Sequence, residues 1–387
     1  MRARRLNGER GIALAVAIFA LVVIGALVAG TFYVGRLENR TGQNTVYAGQ
    51  AAEAADAALS NALANGTAAA FEPLALGGTA DLGTFKLNER VLGSSQVTRL
   101  TESLFLVQAL GRSNDAAGNP LATRTVGAIT RLNQVDLEIK AGLTAIGKIT
   151  VTGNSEVSGF DDSPDYWEMN PDISCPPKDD VAGVRYNGQV TQQGSAVIKG
   201  DPNRDNDNTL TKDNILGPDG SFQELKALAT LILTGNVSGL APVVTATVPP
   251  RCDMSVDSNW GDPLNKLSPC FNYFPIIYHQ GDLSISGNGY GQGILLVEGN
   301  LTVQGRIDFY GPVISTGAVD IRGTGSDDVK FYGGVIAQDV TLDDSKLSGN
   351  AEVRYSSCAI HRALKGSALP QPLAERGWAQ LYAADLP

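Results

Sequence analysis

The chain has 387 residues, of which 43% are hydrophobic and 18% are charged, and it contains 44 Gly. A charged share this low excludes a charge-driven disordered chain, and the Gly content favours short strands joined by turns over a helical bundle. The net charge of −10 divides into +3 for residues 1–10 and −13 for the remainder. Because an acidic body repels phosphate backbones, we expect no nucleic-acid partner.

The first predicted element is a membrane-spanning helix. No charged residue occurs in the 24 residues from Ile12 to Gly35. A helix rises about 1.5 Å per residue, so this segment can cross about 30 Å of hydrocarbon. Four Arg precede it, whereas Arg36 and Arg40 after it are accompanied by Glu38. This charge bias predicts a single pass with the N-terminus in the cytoplasm and the body exported.

The same helix is predicted to continue beyond the membrane and to span residues 12–66. The segment Gln50–Asn65 is rich in Ala, which has the highest helix propensity, and no Pro interrupts the chain between Ile12 and this segment. Two other interpretations stay open. One is a signal peptide cleaved near Gly30, and the other is a plain signal anchor with a juxtamembrane stalk.

Three motifs in this region resemble a known family. They are the runs at 8–14 (GERGIAL), 37–40 (LENR) and 50–55 (QAAEAA). These runs are similar to the N-terminal region of the PilX-type pilin-like proteins of type IV pilus assembly. The resemblance implies an apolar helix that sits in the inner membrane or packs among other pilins in a filament.

The resemblance also implies a basic leader over residues 1–11, which ends at a Gly and is removed by a prepilin peptidase. Gly8 and Gly11 are the candidate ends of this leader. Ordinary pilins carry Glu at the fifth position of the mature chain. Here that position is Ala13 or Val16, according to which Gly ends the leader.

Residues 67–140 are predicted to form an antiparallel β segment after the helix. Apolar and polar residues alternate at 84–88, 104–110 and 123–131, as in strands with one buried face. The polar run at 113–119 supplies a turn between the last two strands. A helix that covers an antiparallel sheet is the layout of a pilin-like head, and a generic three-stranded element is the alternative.

A repeated heptad of the form G-x-aliphatic-x-aliphatic-x-G dominates the next part of the chain. Complete copies start at Gly147, Gly281, Gly299 and Gly317, the last three at intervals of 18 residues. Equal spacing of short strands with Gly at the corners predicts a right-handed parallel β-helix, or β-solenoid, over residues 141–360. The alternative is an antiparallel sandwich whose turns use Gly.

In that solenoid, Leu283, Leu301 and Val319 are predicted to stack as an inward ladder. A looser copy of the heptad lies at 338–344. The stretch 154–276, rich in Pro, Asn and Asp, is expected to be a loop-rich insertion over the coils.

Within this insertion, residues 221–230 are predicted to form one helix, with a capping box at its start. Residues 361–387, which include Trp378, are expected to cap the last coil. The passages at 281–305 and 355–364 resemble the C-terminal parts of large PilX-like proteins, which supports the predicted architecture.

The four Cys residues are predicted to form two disulfides, since an even number in an exported body is typical of disulfides. Three connectivities are possible. Cys252 and Cys270 enclose 17 residues, and closing such a loop contributes about 3 kcal/mol of chain entropy. Cys175 and Cys358 are then the remaining pair. Free thiols or a metal site are the alternative, although no C-x-x-C spacing occurs.

The segment 201–213 (DPNRDNDNTLTKD) has the oxygen spacing of an EF-hand-like calcium loop. Lys212 stands where such loops have a bidentate Glu. The sequence therefore predicts Ca²⁺ as the one candidate cofactor, with a solvated acidic loop as the alternative. The candidate ligands are Asp201, Asn203, Asp205, Asp207 and Asp213.

A second acidic group lies at 161–168, beside Tyr166 and Trp167. Paired carboxylates are the groups that cleave glycosidic bonds. Here the carboxylates cluster in one loop rather than on successive strands, which favours solvation over catalysis. Two His in the whole chain also leave little material for His-based chemistry.

The sequence as a whole predicts a mainly β protein with a long N-terminal helix and no enzymatic activity. The function that follows from the resemblance is a structural, pilin-like one, at the tip of a pilus or in adhesion. Its partners are then other pilins, pilus assembly proteins and a prepilin peptidase. The alternatives are a tethered β-helix protein that binds or cleaves polysaccharide, and a solenoid scaffold that polymerises end to end.

Overall fold

The structure is a computed structural model of the full chain. The described residues cover most of both the helical and the β regions. They are residues 10–66, 68–71, 74–133, 137–170, 173, 175, 178–216, 222–246, 250–323, 328–337, 344–348, 351–373 and 378–381.

The chain folds into two compact units. The first consists of Met1–Gly66, Leu74–Arg131 and Pro372–Pro387, and the second of Thr67–Pro73 and Leu132–Gln371. The first unit is therefore built from both ends of the chain.

The elements are numbered in chain order. The helices are α1 (Arg10–Asn65), α2 (Ala68–Phe71), α3 (Asp165–Glu168), α4 (Phe222–Ala227) and α5 (Ser357–Gly366). The strands are β1 (Thr79–Lys86), β2 (Val91–Arg99), β3 (Leu104–Asn114), β4 (Pro120–Asn133), β5 (Ala141–Ala145), β6 (Lys148–Val151), β7 (Glu156–Ser158), β8 (Ala182–Tyr186), β9 (Val190–Gln192), β10 (Val197–Lys199), β11 (Arg204–Asn206), β12 (Leu231–Leu233), β13 (Val237–Leu240), β14 (Ile276–Gln280), β15 (Leu283–Gln292), β16 (Ile294–Glu298), β17 (Leu301–Gln304), β18 (Arg306–Ser315), β19 (Val319–Arg322), β20 (Val329–Ala337), β21 (Asp344–Ser348), β22 (Ala351–Tyr355), β23 (Leu369–Pro372) and β24 (Trp378–Leu381).

The first unit combines α1 with an antiparallel sheet. Strands β1 to β4 pair in chain order, and β24 returns to pair antiparallel with β4. The sequence predicted β1, β3 and β4 but not β2. The buried positions of β2 include Gly93 and Ser95 between Val91 and Val97, so its alternation of apolar and polar residues is too weak to recognise.

The second unit contains a curled sheet of 18 strands. Its described pairs are parallel and form three rows. Row one runs through β12, β14, β16, β18, β20, β5, β8 and β11. Row two runs through β13, β15, β17, β19, β21, β6 and β9, and row three through β13, β15, β18, β20, β22, β7 and β10.

Row two contains the predicted ladder. Leu283 pairs with Leu301, and Leu301 pairs with Val319. All three side chains are at most 1% exposed. The first heptad supplies β6 in the same row. The looser copy at 338–344 lies almost wholly outside the described residues, and the row continues through β21 instead.

The order of strands in the sheet differs from their order in the chain. Strands β5, β6 and β7 pair with β20, β21 and β22, so the first strands of the second unit lie beside its last ones. The stretch 154–276, expected as loops, contributes β7 to β13 to the same sheet. These strands have only three to five residues, too few to show a period-2 pattern by sequence alone.

An inner apolar layer lies inside the curled sheet, and an outer apolar layer covers row one. The inner layer contains aromatic residues, with ring centroids 5.9 Å apart for Trp260 and Phe309 and 6.2 Å apart for Phe309 and Phe331. The outer layer packs Leu225 of α4 and Ile360 of α5 over the outward side chains of the row. Helix α4 lies within the predicted range 221–230. The cap predicted at 361–387 does not form a single element. Helix α5 packs on β18 and β20, whereas β24 belongs to the first sheet.

Candidate functional site

The N-terminal half of α1 is apolar and uncovered. From Leu14 to Val46 every residue of the helix is exposed, and Phe19 and Phe32 are more than two thirds exposed. An 18-residue window in this helix reaches a mean hydropathy of 2.6 with none of it buried. By length and composition, this half of α1 can therefore cross a membrane.

The C-terminal half of α1 packs on the first sheet through small residues. Ala51, Ala54 and Ala55 are fully buried. They lie against Gly93 of β2 and Gly111 of β3, where an added Cβ would come within 2.3 Å of Ala54 O and 1.9 Å of Ala51 O. The helix backbone therefore approaches the sheet closely because both surfaces lack bulky side chains.

A polar stripe runs along the outer face of row three. We define it as Asp308, Lys330, Glu352 and Glu156, which are successive partners in the parallel register. Tyr290 precedes Asp308 in the same register. The heptad pattern did not predict this stripe, although the tripeptide Phe-Tyr-Gly recurs 22 residues apart, at 309–311 and 331–333. That repeat marks the same register.

Ion pairs connect most of the polar stripe to its neighbours. Lys330 lies 3.7 Å from Glu352, Glu352 lies 3.0 Å from Arg354, and Lys199 lies 3.2 Å from Glu156. Asp308 differs, because burial raises the pKa of its carboxyl while Lys330 and Arg306 oppose that rise. The stripe therefore combines paired charges with one carboxyl that is easier to protonate than an ordinary Asp.

An aromatic cluster covers the residues next to the stripe. The rings of Tyr310 and Tyr332 are stacked 5.1 Å apart, and Trp167 lies 5.3 Å from Tyr310. The guanidinium of Arg362 lies 4.2 Å from the Trp167 ring and 4.6 Å from the Phe271 ring. Burial lowers the pKa of Arg362 to about 10. These contacts fix α5 to the outer face of the sheet.

One carboxylate of the acidic group at 161–168 also contacts α5. The two carboxylate oxygens of Asp161 accept hydrogen bonds from the Ser357 backbone N–H (2.8 Å) and hydroxyl (2.6 Å) at the start of α5. Asp162 pairs with Arg354 at 2.6 Å. A carboxylate at a helix N-terminus is favourable because it faces the positive end of the helix dipole.

Both disulfides are formed in the structure. Cys175 is bonded to Cys358 and Cys252 to Cys270. The first joins residues 183 positions apart, and the second closes a loop of the second unit. Disulfides of this kind are typical of an oxidising, extracytoplasmic environment.

Part of the predicted calcium loop forms a strand. Arg204–Asn206 is strand β11, and Asp205 and Asp207 both pair with Arg185 of β8. Asp207 also accepts hydrogen bonds from the Thr209 hydroxyl (2.6 Å) and backbone N–H (2.9 Å). In the described parts of the chain, no group of three or more His, Cys, Asp or Glu is arranged to hold a metal. Two predicted ligands thus face a guanidinium.

The remaining site prediction concerns the leader. Gly8 lies outside the described residues, and Gly11 lies in the first turn of α1. No family model, curated protein or solved structure matches this chain.

Proposed function

We propose that this protein is a membrane-anchored, exported, pilin-like structural protein of a type IV pilus or related filament. The observation that carries the proposal is the division of α1. Its first half is apolar and exposed on all sides, and its second half is fastened to an antiparallel sheet by a stripe of Ala. A helix of this kind can remain in the bilayer or exchange lipid for the apolar helices of other subunits, while the sheet stays in water.

The second unit would serve as a tip or adhesive module carried by that anchor. We propose that its sheet is a β-solenoid, and three findings support this proposal. The described pairs are parallel and form three rows, the central coils repeat every 18 residues, and the inward residues form an apolar core. Each coil then buries the apolar residues of its neighbours, which stabilises the stack.

The proposed location is the inner membrane, with a single pass and the N-terminus in the cytoplasm. The positive charge before the span supports this topology, and the two disulfides support an extracytoplasmic body. The proposed partners are other pilins, assembly proteins of the pilus and a prepilin peptidase acting after Gly8 or Gly11.

Mass spectrometry of the mature N-terminus in the native host tests this function. A chain that begins at Glu9 or Ile12 with a methylated amine supports it, and substitution of the corresponding Gly by a bulkier residue should leave the leader attached. An intact Met1 in the wild-type protein, together with the absence of the chain from sheared filaments, would overturn the proposal.

A second candidate function is recognition of a polysaccharide by an anchored body. The polar stripe favours it, because it places three carboxylates and one ammonium group in line on successive strands, where they can accept hydrogen bonds from sugar hydroxyls and donate to them. A glycan array probed with the wild-type chain and with Lys330→Ala tests this alternative. Binding that is lost in Lys330→Ala and retained in Lys346→Ala, a change on row two, would support it. An array without binding would remove it.

A further inference from the structure

Two buried oxygen atoms near the Cys252–Cys270 disulfide lack hydrogen-bond donors. One is Oδ1 of Asp262, whose residue is 3% exposed, and the other is Oε1 of Gln292, whose residue is fully buried. Within the described residues, Asp262 has no ion-pair partner. An unpaired buried carboxylate is costly, and an unsatisfied buried amide oxygen adds to that cost.

The surrounding hydrogen bonds identify which atom of the Gln292 amide is the nitrogen and which is the oxygen. Nε2 of Gln292 donates to the carbonyls of Phe271 (2.7 Å), Tyr273 (3.0 Å) and Cys270 (3.4 Å). Three acceptors around one nitrogen identify it as the amide NH₂, so the other atom is the oxygen. Exchanging the two atoms would place an oxygen against three carbonyl oxygens.

One carbonyl contacts the backbone of Asp262 and the side chain of Gln292. The oxygen of Cys270 accepts from Nε2 of Gln292 and from the backbone N–H of Asp262 at 3.1 Å. Gly261, between Trp260 and Asp262, has φ +87°, and an added Cβ would lie 2.8 Å from Nε2 of Gln292. The chain thus packs directly on the Gln292 amide, and the disulfide holds the Cys270 carbonyl in place.

We propose that Asp262 and Gln292 bind a calcium ion in a buried site beside the Cys252–Cys270 disulfide. Both unsatisfied atoms are oxygens and neither is a donor, which is the ligand chemistry that a hard cation requires. One carboxylate, one carboxamide, and backbone carbonyls or water are a ligand set of low charge. The expected dissociation constant is therefore about 10⁻⁴–10⁻³ M, the range of extracellular calcium modules.

The loop before Asp262 is held in place by hydrogen bonds. Asn259, which is fully buried, donates to the carbonyls of Asp253 (2.7 Å) and Val243 (3.0 Å) and so holds the loop before Asp262 rigid. A preformed site avoids the entropy of ordering a loop around the ion.

This site differs from the calcium loop predicted at 201–213, and it does not depend on whether the chain enters a filament. Thermal unfolding of the full chain in detergent, with Ca²⁺ or with EDTA, tests the proposal. Ca²⁺ should raise the melting temperature of the wild type, and it should do so equally in Asp205→Asn and in Asp257→Asn, an exposed carboxylate of the same disulfide loop.

Asp262→Asn should abolish the calcium response. In EDTA this variant should melt at or above the wild-type temperature, because it removes an unpaired buried charge. Terbium luminescence sensitised by Trp260 and displaced by Ca²⁺ gives a second measurement on the unaltered chain. A wild type that neither responds to Ca²⁺ nor sensitises terbium would overturn the proposal, as would an undiminished response in Asp262→Asn.

Discussion

Replacing Gly111 with Ala is expected to separate α1 from the first sheet. The new Cβ would lie 1.9 Å from Ala51 O and 2.5 Å from Ala55 N, and both atoms belong to the helix backbone. Ordinary contacts of a Cβ begin at 3.4 Å, so the helix would have to move outward by roughly 1.5 Å, a typical overpacking response. We expect a loss of about 3 kcal/mol, at the upper end of measured overpacking costs, because no flexible side chain can relieve the contact.

The assay is thermal unfolding of the full chain in detergent, followed by circular dichroism. At about 4 °C per kcal/mol, the melting temperature of the first unit should fall by about 12 °C. Gly49→Ala is the matched control on the same helix, since no heavy atom lies within 4 Å of its new Cβ. It should stabilise the helix by about 1 kcal/mol. A melting temperature of Gly111→Ala at or above that of the wild type would refute the close packing.

Three further predictions concern the second unit. Leu301→Ala should destabilise it by about 3 kcal/mol by opening a cavity in the ladder, while Thr302→Ala on the outward face should change its melting temperature little; equal effects in chemical denaturation would contradict the assigned register. Hydrogen bonds from Thr209 and Arg185 lower the pKa of Asp207 from 3.8 to about 2, so its contribution to stability is complete above pH about 4 and is lost as the pH falls towards 2. Asp207→Asn should therefore flatten the acid limb of a melting temperature–pH profile, and an unchanged limb would argue against this pairing. Cys252→Ser with Cys270→Ser should cost about 3 kcal/mol, measured by urea unfolding under oxidising conditions. The reduced wild type, which also loses the Cys175–Cys358 bond, should be less stable still, and an unchanged urea midpoint in the double variant would contradict the prediction.

The sequence predicted those elements whose pattern of residues is complete within one short segment. The uncharged run from Ile12 to Gly35 and the following Ala-rich segment predicted one long helix, which is α1. The Gly-framed heptads predicted the 18-residue register of Leu283, Leu301 and Val319, because each copy contains a complete strand and both its corners.

Other features depend on residues that are far apart in the sequence. Asp262 and Gln292 are 30 positions apart in the chain, and neither belongs to a motif, so only the fold shows that both contact the Cys270 carbonyl. The pairing of Asp205 and Asp207 with Arg185 is of the same kind, since Arg185 lies outside the segment 201–213. The charges within one segment do not show which charged residues of another strand will lie beside them in the fold.

The strand order of the second unit has a consequence for synthesis. The outer edge of β5, β6 and β7 pairs with β20, β21 and β22, which follow almost 200 residues later. A chain that emerges N-terminus first must therefore keep this edge unpaired until β20, β21 and β22 have been made, and unpaired edges invite wrong partners. The Cys175–Cys358 bond joins the same early and late segments. Once oxidised, this bond holds the two segments close together, and it can form only after the late segment has been made.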